Sequence, residues 1–223
     1  MSRPRLLDLY CCAGGAAMGY HRAGFDVVGV DINPQPRYPF EFHQADALEF
    51  LAAHGHEFDA IHASPPCQNY STLTRGNRGR GEARDHPDLV GVTRTALEST
   101  GLPYVIENVT SAPLRADATL CGLMFGLKVF RHRLFEAGGW ALTPPAHPSH
   151  KGHRVAGWNH GVKHEGDMFA VYGAGGGKGA VHQWQDAMGI YHTDDRRELA
   201  EAIPPAYTEH IGKQLIKHLK ETP

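Results

Sequence analysis

Charge imbalance, cysteine pairs and long apolar runs are all scarce in this chain. Its 22 Lys and Arg nearly balance its 24 Asp and Glu, leaving a net charge of −2. A globally basic nucleic-acid binder is therefore excluded, and any surface for a polyanion must be local. No stretch approaches the roughly 18 consecutive apolar residues of a membrane span. Arg3 and Arg5 precede an apolar stretch, but Asp8 interrupts it and glycines follow, which reads as a strand and not a signal peptide. Only four cysteines occur, Cys11, Cys12, Cys67 and Cys121. Two are adjacent, which suits no disulfide framework, and no C-x-x-C pair is present for zinc. A reducing compartment is the simple inference.

What is present points to a globular chain. With 223 residues, 41% hydrophobic and 21% charged, there is enough for one sizeable core and a small appended lobe. Residues 5–10 read as a first strand. A small-residue turn, Cys11 to Gly19, opens a helix that Gly24 ends as a C-cap. Residues 25–31 form a second strand, so the opening unit is a βαβ with a right-handed crossover. Residues 34–42 read as an irregular connection, and Asp46 caps a helix over Ala47–His54. Further strands fall at 58–63 and 102–106, with a helix over 87–100 between them. Alternating strands and helices imply α/β architecture, a doubly wound, mostly parallel, Rossmann-like sheet.

From Trp140 to about Gln183 the chain turns rich in Pro, Gly and His and loses periodicity. This predicts a small irregular lobe, 140–183, set into a main domain of 1–139 and 184–223. Gly173 to Gly179 imitates a phosphate loop, but Lys178 is one position early and no Ser or Thr follows. His147, His150, His153, His160 and His164 lack the spacing of a zinc site, so the reading is a solvated His-rich surface and no metal. Ile203-Pro204-Pro205 starts a last helix, whose Ile211, Leu215, Ile216 and Leu219 form an apolar stripe.

The chemistry centres on Ala63-Ser64-Pro65-Pro66-Cys67-Gln68. Two prolines stop the apolar strand before it, so Cys67 follows a stiff turn past a strand end. Open α/β sheets place ligands there, and a thiol so held is a candidate nucleophile. Glu107-Asn108 follows another strand in the same way. Arg131 and Arg133, two apart on one expected strand, share a face and can hold Glu107 or substrate oxygens. Arg75, Arg78, Arg80 and Arg84 lie among glycines in the loop after Cys67, a composition that suits a phosphate backbone. Near the N-terminus, Gly14, Gly15 and Gly19 let a ligand lie against the backbone, without the G-x-G-x-x-G pattern. Asp31 ends the second strand, where an acid holds ribose hydroxyls, and Asp46 can accept from an exocyclic amine. A nucleoside cofactor without phosphates fits, S-adenosylmethionine first among them.

Together these residues resemble the DNA cytosine-5 methyltransferase family, with the motifs in that family's usual order. Asp8-Leu9-Tyr10 with Gly14-Gly15 resembles the cofactor turn, and Asp31 and Asp46 the two cofactor-binding acids. Pro66-Cys67-Gln68 matches the nucleophile loop, Glu107-Asn108-Val109 the Glu-Asn-Val segment, and Arg131-His132-Arg133 the Arg-x-Arg element. Ala202-Ile203-Pro204-Pro205 resembles the element that closes the cofactor pocket. The resemblance spans 5–136 and 199–219. It departs at Cys12, Glu201 and Val129, where the family usually has Gly, Asn and Gln. Its lobe is also shorter, which bears on sequence specificity more than on catalysis.

The resemblance implies a cytoplasmic enzyme, monomeric, nucleoid-associated when bound to double-stranded DNA, of the restriction-modification type. It implies base flipping, attack of Cys67 on cytosine C6, Glu107 on the N3/N4 edge, and Arg131 and Arg133 as orienting groups. It assigns Asp8, Tyr10, Gly14, Gly15, Asp31, Ile32, Asp46 and Pro66 to S-adenosylmethionine, and Gln68 and Ser71 to DNA beside the four loop arginines. The alternatives are the same chemistry on RNA or a free pyrimidine nucleotide, and a non-catalytic nucleic-acid-binding protein of the same fold.

Overall fold

The structure is a computed structural model, and it describes residues 2–66, 88–159, 162–172 and 179–221. Seven strands form one sheet: β1 Arg5–Leu9, β2 Asp26–Asp31, β3 Glu41–Gln44, β4 Ala60–Ala63, β5 Tyr104–Asn108, β6 Ala118–Leu120 and β7 Arg133–Gly138. Their order is β3-β2-β1-β4-β5-β7-β6. Pairings from β3 to β5 are parallel, and β7 runs antiparallel to both β5 and β6. The order reverses between β1 and β4, which opens a crevice at their carboxyl ends.

The central strands are buried on both faces, as a helix-covered parallel sheet requires. Alternate residues therefore feed two cores. Leu6, Val27, Val105 and Phe135 pack with Tyr20, Tyr207, Ile211 and Leu215 on one face. Leu7, Leu9, Val28, Ile61 and Ile106 pack with Leu51 and Leu97 on the other. The first face carries α1 Gly15–Ala23 and a long helix at the C-terminal end of the chain, Pro205–Glu221. The second carries α2 Ala47–His54 and α3 Val90–Thr100. Asp46 caps α2 by accepting from the backbone N–H groups of Leu48 and Glu49, and Gly24 ends α1 at φ 119°.

Two segments differ from the sequence expectation. Residues 41–44 form β3, an edge strand that is mostly exposed and so carries no apolar alternation. The irregular lobe contains a hairpin, β8 Gly157–Asn159 with β9 Val162–His164, and order resumes at α4 Val181–Met188 and α5 Arg196–Glu201 before α6, the Pro205–Glu221 helix. Trp184, Met188, Leu199 and Val129 form a small third core, to which Val171 of the 140–183 segment adds. Among the described residues no helix is long and apolar enough to cross a membrane.

Candidate active site

The carboxyl end of β4 is built on a polar row. Asp8 of β1 lies in register with His62 of β4, and β4 pairs with β5 so that Ser64 follows beside Glu107. These side chains point toward α1. His62 is fully buried, with Nδ1 3.0 Å from the Tyr20 hydroxyl and Nε2 2.9 Å from Ser64 Oγ. Burial pushes its pKa down to about 3, so the ring is neutral. Ser64 in turn lies beside Glu107, and its hydroxyl favours the carboxylate form. Tyr20, His62, Ser64 and Glu107 thus form one continuous polar row.

Glu107 is only 6% exposed. Burial raises its pKa above the ordinary carboxylate value, opposed by Arg133, Arg131 and the Ser64 hydrogen bond. Glu107 sits opposite Phe135 on β7, so Arg133, two residues on, is its diagonal neighbour on the same face. Arg133 Nε stands 3.0 Å from Glu107 Oε1. Oε1 has no hydrogen-bond partner among the described residues and retains acceptor capacity. Arg133 also donates to the His132 carbonyl at 3.0 Å.

Arg131 does not share that face. The strand begins only at Arg133, and Arg131 has φ 37°, which turns it toward the lobe. Its guanidinium donates to the carbonyls of Val171 (2.8 Å) and Ala200 (2.6 Å). Its charge reaches Glu107, but its contacts fasten the lobe to the start of β7.

Asn108 clamps the two strand ends. Its amide donates to the Pro65 carbonyl at 2.8 Å, and its own carbonyl accepts from Val109 N–H at 2.9 Å. The turn that leads through the half-buried Pro66 to Cys67 is thereby fixed to β5. Cys67, Gln68, Ser71, Arg75, Arg78, Arg80 and Arg84 lie outside the described residues.

On the other side of the crevice, Asp31 ends β2 and accepts from Cys12 N–H (3.1 Å) and Asn33 N–H (2.9 Å). Tyr10 and Cys12 take positive φ in the turn between them. Ile32, next to Asp31, is 66% exposed, an apolar surface at the crevice end fit to lie against a ring. Asp46 is exposed, with Oδ1 engaged in the α2 cap. The Tyr10 hydroxyl is turned to Thr93 of α3, 3.0 Å away.

Gly14, Gly15 and Asp8 lie in close contact with the chain's own residues. A Cβ on Gly14, at φ 83°, would sit 2.8 Å from Pro39. One on Gly15 would sit 2.5 Å from the Ile203 carbonyl. Their small size admits the chain's own packing against the turn. Asp8 is fully buried beneath Tyr38, whose hydroxyl reaches its Oδ2 at 3.3 Å, while Oδ1 is unpartnered. Burial pushes its pKa up to about 8, assisted by the charge of Asp31.

Ser64 and Asn108 stand in stretches that the sequence singles out, whereas His62 and Tyr20 escape sequence reasoning. The one available signal is His62, a titratable residue inside an apolar strand. The histidines also part company. His153 pairs with Asp167 at 2.5 Å, whereas the exposed His147 and the half-buried His150 gather with His132 and Cys121. Their partners lie in other segments, which spacing within the lobe cannot reveal.

No protein-family model matches the sequence. Over 152 residues the chain is 30% identical to the type II methyltransferase M.XorII of Xanthomonas oryzae pv. oryzae, covering 60% of this chain and 31% of that protein. Over 121 residues it is 26% identical to the type II methyltransferase M.HgiDI of Herpetosiphon aurantiacus, covering 49% and 38%. The chain thus spans about a third of the length of these curated relatives. Its fold is similar to that of an S. pombe Dnmt2 methyltransferase (TM-score 0.61, 12% identity, 98% of this chain and 99% of that one). It is also similar to the Entamoeba histolytica methyltransferase EhMeth (TM-score 0.65, 13% identity, the same coverage). Sequence and fold both relate the chain to methyltransferases, and S-adenosylmethionine is the methyl donor that this likeness implies.

Proposed function

We propose that the protein transfers a methyl group from S-adenosylmethionine to C5 of cytosine in DNA, with Cys67 as covalent nucleophile. The observation that carries this reading is the Glu107–Arg133 pair beside the Asn108–Pro65 clamp. It sets a buried, raised-pKa carboxyl next to the turn from which Cys67 continues. An acyl-transfer site would need an oxyanion hole and a base on the thiol. A carboxyl held apart with free acceptor capacity suits a pyrimidine's N3/N4 edge instead.

The roles follow from that chemistry. Cytosine leaves the base stack to reach the crevice. The Cys67 thiolate adds to C6, and Glu107 supplies or holds the proton at N3 as electron density moves to C5. Arg133 fixes the Glu107 carboxyl and limits its pKa rise. The site's fit to S-adenosylmethionine rests on Asp31 at the end of β2, the exposed Ile32 beside it, and the adjoining carboxylate of Asp46. When bound, this cofactor supplies an electrophilic methyl group to C5. Loss of the C5 proton then expels Cys67. Arg75, Arg78, Arg80 and Arg84 supply phosphate contacts, and the 140–183 lobe reads the target.

The test is transfer of labelled methyl from S-adenosylmethionine to duplex DNA, followed by nucleoside mass spectrometry. The expected product is 5-methylcytosine. Label in an exocyclic N-methyl base would overturn the C5 assignment. The short lobe favours one second reading, the same chemistry on structured RNA, for which label would appear in RNA and not in DNA.

A further inference from the structure

The four side chains Cys121, His132, His147 and His150 converge at the base of the lobe, with one ligand atom of each lying within 4.8 Å of the others. They come from three separate segments. Cys121 follows the end of β6, His132 precedes β7, and His147 and His150 lie in a stretch without helix or strand. Cys121 Sγ is 3.4 Å from His150 Nε2, and His132 Nε2 is 3.2 Å from His147 Nε2. Four N and S ligands on one zinc ion stand roughly 3.3–3.6 Å apart, as bond lengths of about 2.0–2.3 Å in a tetrahedron require. Both observed edges approach that spacing.

We propose that Cys121, His132, His147 and His150 form a structural zinc site that fastens the lobe to β6 and β7. Independent details support it. His147 Nδ1 lies 2.8 Å from the Pro148 carbonyl, which can only accept. The proton is thus on Nδ1, and the Nε2 lone pair faces the cluster, the arrangement metal-bound histidines adopt. The His150 ring stacks on Phe130 with centroids 4.3 Å apart, which fixes its orientation. Cys121 is fully buried, and its sulfur accepts a backbone N–H from the turn that follows. The set holds no carboxylate, so its one thiolate and three imidazoles select zinc over magnesium or calcium. Four protein ligands leave no open position, which marks a structural role. The 141–156 segment is otherwise held at its ends, by Thr143 against Gln214 and by residues 154–156 against Met168, and the cluster ties its middle to the ends of β6 and β7. Through His132, whose carbonyl holds Arg133, the centre also steadies the partner of Glu107.

The test is metal analysis of the full chain expressed in zinc-supplemented medium, with cobalt(II) titration after chelation as a second measurement. The expected result is about one zinc per chain. Cobalt(II) should give the intense visible bands of a tetrahedral site with a single thiolate charge-transfer band. His147 is exposed, so His147→Ala should fold, and it should weaken metal binding by at least about 10-fold. Cys121→Ser should abolish the charge-transfer band. Zinc well below stoichiometric, with no tetrahedral bands on cobalt(II) titration, would overturn the proposal. So would stoichiometric metal that neither substitution reduces.

Discussion

Arg133 Nε lies 3.0 Å from Glu107 Oε1, and this pair joins the start of an antiparallel strand to the end of a parallel one. Burial raises the Glu107 pKa, while Arg133, Arg131 and Ser64 oppose the rise. Arg133→Gln removes the largest opposing charge, and Ser64→Ala removes a donor. Each should move the limb of the pH–rate profile that reports Glu107 to higher pH. Arg133→Gln should also lower kcat/KM by roughly 100-fold, the scale of a misplaced acid–base group. The limb is identified by its loss in Glu107→Gln. A limb that stays in place in both variants would show that the pair does not tune this carboxyl.

Asp8 and His62 predict opposite pH dependences of stability. The Asp8 pKa rises from 3.8 to about 8 on folding, so the native state holds a proton that the unfolded chain releases. Its contribution is fully present below pH 3.8 and is lost as pH rises toward about 8. The His62 pKa falls from 6.5 to about 3, so its contribution is present above 6.5 and is lost as pH falls toward about 3. Asp8→Asn should flatten the decline in Tm between about pH 4 and pH 8. His62→Gln should flatten the decline on the acid side, on a base of lower stability because the Tyr20 hydroxyl loses its partner. Parallel Tm–pH curves for wild type and Asp8→Asn would contradict the buried neutral carboxyl.

Asn108→Ala should cost about 1–3 kcal/mol, because the buried Pro65 carbonyl is left without its donor. Denaturant unfolding measures this. The loss of methyl transfer should exceed what the unfolded fraction explains, since the turn into Cys67 loses its anchor. Equal losses of stability and activity would reduce Asn108 to a packing role.

Gly15→Ala should destabilise by about 1–3 kcal/mol, since its Cβ would meet the Ile203 backbone at 2.5 Å. It should also weaken S-adenosylmethionine binding, because the turn and the chain before α6 move together. Calorimetry on the folded variant checks the second effect. Unchanged stability would show that the α6 approach yields freely.

The sequence made the strand ends legible because their punctuation is chemical. Prolines stop β4 at Ser64, Gly24 and Gly101 end helices, and Asp46 caps α2. Apolar runs at β1, β2, β4 and β5 gave the buried sheet, and Glu107 with Arg133 was readable from adjacent motifs. β3 was not readable, because an exposed edge strand carries no apolar pattern. Arg131 was misplaced because two residues of spacing imply a shared face only if the strand extends that far, and it begins at Arg133. The glycines of the first turn were visible, but which neighbour needs the space depends on Tyr38, Pro39 and Ile203, distant in sequence. The Cys121–histidine cluster was hidden for the same reason, since its members come from three segments.

The central claim is covalent attack by Cys67 on cytosine C6. Duplex DNA carrying 5-fluorocytosine cannot lose the fluorine at C5, so it should trap the protein after methyl transfer. Incubation with S-adenosylmethionine, denaturation and peptide mass spectrometry should yield a DNA adduct on Cys67, absent in Cys67→Ala. Methyl transfer to DNA that persists in Cys67→Ala, with no adduct in the wild type, would contradict the account.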